Sequence, residues 1–182
     1  MNKKNTASVF PLPETTGIIV KKSGFLKGQL GIFAKMPFKK NQSLFLVKGL
    51  VRSKPSVYSF SAGLHEHIEP RKKTGDFDLG HYMNHSCNPN TILKIIRGRS
   101  KIPSIKVIAR KNIRKNEELT FDYASLEYAT VASSICKCHT KNCRKTIHGF
   151  RDLPEQIVKK YQREGMIPKY LLELKNQIDP TK

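Results

Sequence analysis

The chain is poor in the features that would mark several large protein classes. It has only four cysteines in 182 residues, too few for the disulfide frameworks that small secreted domains use in place of a core. No apolar run approaches the roughly 20 residues that a membrane-spanning helix needs. The N-terminal stretch MNKKNTASVFPLPETTG has no long apolar segment behind its lysines, so no secretory signal is expected there. Internal repeats and low-complexity tracts are missing, which disfavours solenoids and fibrous proteins. Acidic residues are also scarce, 14 against 34 Lys and Arg. What remains is a length suited to one domain, with an apolar fraction of 38%, low for a packed domain but far above that of a disordered tail.

The resulting net charge of +20 is spread along the chain rather than carried by a basic tail. Such a surface attracts polyanions: nucleic acid, nucleosomal DNA, an anionic membrane or an acidic protein. A generally basic surface with no specific partner explains it almost as well. The stretch from Lys94 to Lys115 holds nine Lys or Arg and no acid. That pattern fits the solvated face of a hairpin better than a nucleic-acid groove.

Short β-like segments dominate the first two thirds. Gly17–Val20, Leu30–Ala34 and Leu44–Val47 are strand candidates, the last bounded by Asn41 and Gly49. Ile92–Ile96 and Ile105–Ala109, joined through Arg97-Gly98-Arg99-Ser100, predict a hairpin with a long loop. Glu118–Tyr123 predicts a further strand, whereas residues 52–80 are rich in turn formers with few apolar residues in register. Near the C-terminus, Asp152-Leu153-Pro154-Glu155 has the spacing of a helix cap, with Ile157 and Tyr161 following on one face. Pro168 then predicts a second helix whose Tyr170, Leu171, Leu174 and Ile178 form a stripe. Many short strands followed by a short helical tail fit neither a doubly wound sheet nor a helical bundle.

Three of the cysteines lie in Cys136-Lys-Cys138-His-Thr-Lys-Asn-Cys143, and the fourth, Cys87, is far upstream. Closely spaced Cys136 and Cys138 suit one metal ion gripped from a tight turn better than a mutual disulfide. Free buried thiols and disulfides are the alternatives, and His139 and His148 are alternative ligands.

Two further segments carry a family likeness. Tyr82-Met83-Asn84-His85-Ser86-Cys87-Asn88-Pro89-Asn90 and Glu117-Glu118-Leu119-Thr120-Phe121-Asp122-Tyr123, followed by the Cys-x-Cys-x4-Cys cluster, resemble the signature segments and post-SET zinc motif of SET-domain protein lysine methyltransferases. The likeness runs over residues 17–148. It implies a mainly β fold of small twisted sheets with a knot-like crossing, a rare topology. The implied organisation is an N-terminal lead-in at 1–16, a SET domain at 17–124, a post-SET zinc segment at 132–148 and a short helical C-terminal tail at 149–182. The resemblance also implies a structural Zn2+ held by Cys87, Cys136, Cys138 and Cys143.

The implied reaction is methyl transfer from S-adenosyl-L-methionine to a neutral lysine amine. It demands alignment and exclusion of water more than covalent chemistry. By resemblance Tyr123 is the catalytic tyrosine, and Gly31, Ile32, Phe33, Asn84, His85 and Tyr123 bind the cofactor. Asn90 is expected to be turn scaffolding. Two departures stand out. The family's Gly-x-Gly entry aligns its first glycine with Gln29, Gly28 lying one residue too early. A second active-site tyrosine expected near residue 47 is replaced by Val47, with Tyr58 or Tyr82 as candidate substitutes. His81 stands where an arginine is common.

The implied substrate is a protein lysine, with histone the first guess. A +20 enzyme repels a basic tail unless its channel mouth is locally acidic or DNA bridges the two. A monomer without membrane contact is expected, in an intracellular, nuclear or chromatin setting, with nucleosomal DNA as a further contact. The competing function is a non-catalytic SET-fold module that binds nucleic acid or chromatin by charge. In the family the residue two before the catalytic tyrosine, here Phe121, helps set how many methyls are added, because a tyrosine there holds a water that a phenylalanine does not. The expected outcome is di- or trimethyl product from the parent and mostly monomethyl product from Phe121→Tyr, read by time-resolved mass spectrometry. A parent that stops at monomethyl under excess cofactor refutes it.

Overall fold

The computed structural model describes residues 17–130 and 134–178. The lead-in at 1–16, with Pro11 and Pro13, lies outside the described residues. In chain order the strands are β1 (Ile18–Lys22), β2 (Leu30–Ala34), β3 (Ser43–Val47), β4 (Leu50–Arg52), β5 (Phe60–Gly63), β6 (Glu66–Glu69), β7 (Asn84–His85), β8 (Thr91–Arg97), β9 (Pro103–Ala109), β10 (Glu118–Phe121), β11 (Ser134–Ile135) and β12 (Thr146–Ile147). Two helices follow, α1 (Glu155–Arg163) and α2 (Lys169–Ile178). None of the described helices is long and apolar enough to cross a membrane.

The strands form four small sheets, ordered β1-β2-β10-β7, β3-β9-β8, β4-β6-β5 and β11-β12. Alternation dictates which face is buried. In β9, Pro103, Ile105, Val107 and Ala109 point inward and the residues between them are half-buried. The β8–β9 hairpin runs in unbroken register from Thr91 opposite Ala109 to Arg97 opposite Pro103. One core unites the first three sheets around Ile18, Ile32, Val47, Ile68, Ile105 and Leu119. A second gathers the helices, with Val158, Tyr161, Met166 and Leu171 around Phe150 and Ala124.

Four expectations are corrected. Residues 52–80 are not merely turns, because β5 and β6 pair there with β4. Their inward positions include Ser61 and His67, which bury by hydrogen bonding to each other rather than by apolarity. Asp152 does not cap α1. It ends a short 3-10 turn, its carboxylate faces Arg151, and the helix starts after Pro154, which offers no side-chain bond. The first-turn carboxylate is Glu155 itself, paired with Lys159 at 2.6 Å. Ile178 is exposed, so the buried part of the α2 stripe is Leu171 with Tyr170 and Leu174 half-buried beside it. Finally, β10 ends at Phe121. Asp122 takes the backbone N–H of Ala124 on its side chain and turns Tyr123–Ser125 into a 3-10 turn.

Asp122 is wholly buried and joins three parts of the chain. Arg144, from the cysteine-rich segment, grips it with Nη1 to Oδ2 at 2.7 Å and Nη2 to Oδ1 at 2.8 Å. Tyr161 of α1 donates its hydroxyl to Oδ2 at 2.8 Å. Removing one partner of a buried ion pair strands the other charge, at a cost of about 3–5 kcal/mol. Arg144→Met is therefore expected to lose that much stability in denaturant unfolding, and Tyr161→Phe about 1.5–3 kcal/mol, the range for a hydrogen bond to a charged group. Losses below about 1 kcal/mol in both would show that Asp122 is compensated elsewhere.

Candidate active site

β7 and β10 run parallel, with Thr120 opposite Asn84 and Phe121 opposite His85. The two signature segments thus meet by backbone register. Asn90, just beyond, fastens the pairing. Its amide nitrogen donates to the Glu118 carbonyl at 2.8 Å and its oxygen accepts from Thr120 N–H at 2.9 Å. Scaffolding is therefore the work it does.

A cavity of about 600 Å³ opens beside this pairing. Tyr123, Phe121 and Asn84 line it, with Tyr58 and Tyr82 on the same walls. The rings form a continuous apolar surface: Phe60 to Phe121 is 5.4 Å between centroids and Phe121 to Tyr123 is 4.8 Å. Tyr123 donates its hydroxyl to the Met83 carbonyl at 3.3 Å, and burial pushes its pKa up to about 12, so it stays protonated. Val47 is not on this wall. It is fully buried in β3 and sits against Gly80, where a Cβ would come within 2.4 Å of its Cγ1. Val47 is thus packed against Gly80 in the core, while both suspected substitutes do reach the cavity. His81 also lines it, stacked on Phe77 at 3.7 Å.

Other sequence candidates stand back from the cavity. Ile32 and Phe33 are buried in the sheet between β1 and β10, and only their neighbours Gln29 and Leu30 border the opening. Gly28 has φ +81 with open space around it, whereas Gly31 is closely covered by Glu118 and Asn84. His85 is buried behind Tyr123, accepting that residue's N–H on Nδ1 at 3.3 Å. Burial holds its pKa down to about 4, against the opposing pull of Asp122, so the ring is neutral.

Charge sorting around the cavity was not legible in any motif. Among the described residues, no Lys or Arg lines it and Glu127 is its one carboxylate. Ser61 holds Glu127 by its N–H at 2.8 Å and its hydroxyl at 2.6 Å, and the same hydroxyl meets His67 Nδ1 at 3.1 Å. Burial raises the Glu127 pKa, opposed by the Ser61 bonds.

The cysteine cluster lies on the far side of His85. The four Sγ atoms of Cys87, Cys136, Cys138 and Cys143 lie within 4.8 Å of one another, with Cys87 to Cys136 at 3.7 Å. Zn–S bonds of about 2.3 Å set tetrahedral S–S edges near 3.8 Å, so the donor set fits one zinc with no position left for water. Backbone N–H groups of Arg144 and Lys145 point at the Cys87 and Cys143 sulfurs, each at 3.4 Å. Such donors offset thiolate charge. His139 and His148 are not members of the cluster.

Small sheets joined at a parallel crossing of two signature segments, with a four-cysteine cluster beside an aromatic cavity, define a SET-type architecture. The family profile described as SET domain matches residues 29–124, just over half of the chain, and the chain belongs to that family. A "Probable histone-lysine N-methyltransferase set-23" of Caenorhabditis briggsae is 33% identical over 78 residues, which cover 43% of this chain and 31% of that protein. "Histone-lysine N-methyltransferase SETD1B" of Homo sapiens is 35% identical over 94 residues, 51% of this chain and 4% of that protein. The matches thus span a third or less of those relatives. Among solved structures, "KRYPTONITE in complex with mCHG DNA and SAH" superposes with TM-score 0.59 at 21% identity, covering 71% of this chain and 28% of that one.

Metal analysis of protein purified under reducing conditions is expected to give one zinc per chain, with Cys138→Ser lowering both the stoichiometry and the stability of the C-terminal segment. A stoichiometry near zero in the parent would sink the assignment.

Proposed function

We propose that the chain is an S-adenosylmethionine-dependent protein-lysine N-methyltransferase acting on histone or another basic protein, in a nuclear or chromatin setting. The observation that carries this is the sign of the cavity. A chain with 34 Lys and Arg keeps all of the described ones off the walls of this aromatic opening and places one acid there. The methyl donor is a sulfonium, and a lysine arrives as an ammonium that loses a proton to become the neutral, attacking amine. Walls of aromatic faces without Lys or Arg accept both without repulsion. The same arrangement meets the objection that a +20 enzyme repels a basic tail, because none of the described Lys or Arg lines this opening. Kinship to proteins named as histone-lysine methyltransferases supports the same reaction.

When bound, S-adenosylmethionine supplies a methyl on a positively charged sulfur. Within the chain, Asn84 offers its side-chain amide to the amino acid end of that molecule. Leu30, at the start of β2, borders the same opening beside it, with Gly31–Phe33 and His85 in the strands behind. The Tyr123 hydroxyl, held by the Met83 carbonyl, orients the incoming amine from its lone pairs and stays protonated throughout the physiological range. Phe121 leaves the amine free to turn, and the buried rings exclude water. A second cavity of about 520 Å³, bordered by Lys40, Lys111, Arg163 and an Arg110 that is paired with Glu164 on the same wall, is where the basic surface would meet a nucleic-acid phosphate.

The test is radiolabelled methyl transfer to core histones, nucleosomes and cell lysate, with Tyr123→Phe as the key variant. Turnover is expected to fall by about 10²-fold or more, as for loss of one oriented polar group acting on the transition state, while calorimetric affinity for S-adenosylhomocysteine stays nearly unchanged. Full activity in the variant would assign the chemistry to Tyr58 or Tyr82. A parent without any cofactor affinity would leave the non-catalytic SET-fold module as the function.

A further inference from the structure

Glu118 lies in β10, yet its side chain crosses β2 to reach the loop after β1. Its Oε2 accepts the Gly24 N–H at 3.1 Å, and its two oxygens accept the Ser23 hydroxyl at 3.1 and 3.0 Å. On the other side, Oε1 accepts from Asn84 Nδ2 at 2.7 Å. The carboxylate passes directly over Gly31. A Cβ at that position would sit 2.2 Å from Oε1 and 3.0 Å from Asn84 Nδ2, so only glycine leaves room for the clamp.

Asn84 Nδ2 makes a second bond, to the Leu30 carbonyl at 3.0 Å. Both partners of Nδ2 are pure acceptors, and both of its hydrogens are therefore committed. That fixes which way round the amide sits. The atom left to face a ligand is Oδ1, which can only accept. Asn84 and Leu30 both border the aromatic cavity. A side chain that could in principle read either a donor or an acceptor has been reduced to a reader of donors.

We propose that Glu118 is a positioning residue that makes Asn84 an acceptor-only reader of the α-ammonium of the methyl donor and of its thioether product. This rests on S-adenosylmethionine being the methyl donor. A neutral amide at 118 cannot replace the carboxylate. Gly24 N–H and Asn84 Nδ2 are both donors and approach different oxygens, whereas a glutamine has one oxygen and one NH₂ group. Glu118→Gln must either abandon Gly24 or turn an NH₂ toward Asn84, which then flips and presents its own donors to the ammonium.

The experiment is isothermal titration of the parent and Glu118→Gln with two probes, S-adenosylhomocysteine and 5′-methylthioadenosine. The second carries the same nucleoside thioether and lacks the amino acid end. The expected result is a loss of at least tenfold in affinity for S-adenosylhomocysteine, with 5′-methylthioadenosine unchanged within twofold. A general loosening of the site would weaken both probes alike, and that outcome, or no change in either, overturns the proposal. Ser23→Ala removes one anchor of the carboxylate from a loop without touching the sheet. It should shift the ratio of the two affinities in the same direction by a smaller factor, which keeps the question decidable if the glutamine variant does not fold. A parent that binds neither probe overturns the cofactor assignment and the clamp together. A parent that binds both, with a ratio that the variants leave unmoved, overturns the clamp alone.

Discussion

A single buried carboxylate holds the molecule's separate parts in one arrangement. Asp122 has no solvent to stabilise it, so its charge is balanced inside the protein by the two-pronged Arg144 guanidinium, the Tyr161 hydroxyl and the Ala124 N–H. Each partner comes from a different place: the cysteine-rich segment, α1, and the turn that follows β10. A buried charge with several donors tolerates little displacement of any of them, because each lost bond leaves an uncompensated group in a medium of low dielectric. Tyr123 is the next residue. Its placement is therefore tied to whether the metal cluster is formed and whether α1 is docked. A zinc held by the four cysteines would lie outside the cavity and connect to it through Cys143, Arg144 and Asp122.

The same logic of sign governs the surface. The long basic run from Lys94 to Lys115 is partly neutralised in place, with Lys94 on the Gly165 carbonyl, Arg97 on Glu66, Arg110 on Glu164 and Lys111 near Glu117. Scarce acids are distributed to hold the hairpin against the helices and the small third sheet. Exposed pairs of this kind contribute little stability one by one. Their effect is to leave the excess positive charge on the outside, while the walls of the aromatic cavity hold none of the described Lys or Arg.

What could be read from the sequence was whatever is encoded locally. The β8–β9 hairpin followed from period-two apolarity, the four-cysteine set from ligand chemistry and resemblance, and the meeting of the two signature segments from the family resemblance alone, which did not give their parallel register. What could not be read depends on partners far away in the chain. The β4–β6–β5 sheet buries Ser61 and His67 because Glu127, 66 residues after Ser61, supplies the acceptor for Ser61. Tyr170, on α2, reaches back to the Leu126 and Ser61 carbonyls. No local pattern announces a polar side chain that will be satisfied only after three elements assemble. Asp152 misled for the converse reason: it has the spacing of a cap, but the 3-10 turn before Pro154 uses that residue first. Val47, where the resemblance leads one to expect a tyrosine, is buried against Gly80, a contact no local pattern announces.

The glycine spacing shows how a departure from a family pattern can be set by geometry. The aligned first glycine is Gln29, and the nearby Gly28 adopts a left-handed turn with nothing over it, serving only to reverse the chain between β1 and β2. Gly31 is different in kind, since its missing side chain is the space through which Glu118 reaches Asn84. The second glycine is thus required by a contact between two other residues, whereas the first position only has to turn. Asn84 is in turn held from behind by the parallel register of β7 on β10, and β10 is held by Asn90. The amide that borders the cavity is therefore fixed along the strand by backbone pairing and about its own axis by the carboxylate. Those two constraints come from opposite sides of one sheet, so the site keeps its geometry only while β2, β10 and β7 stay in register.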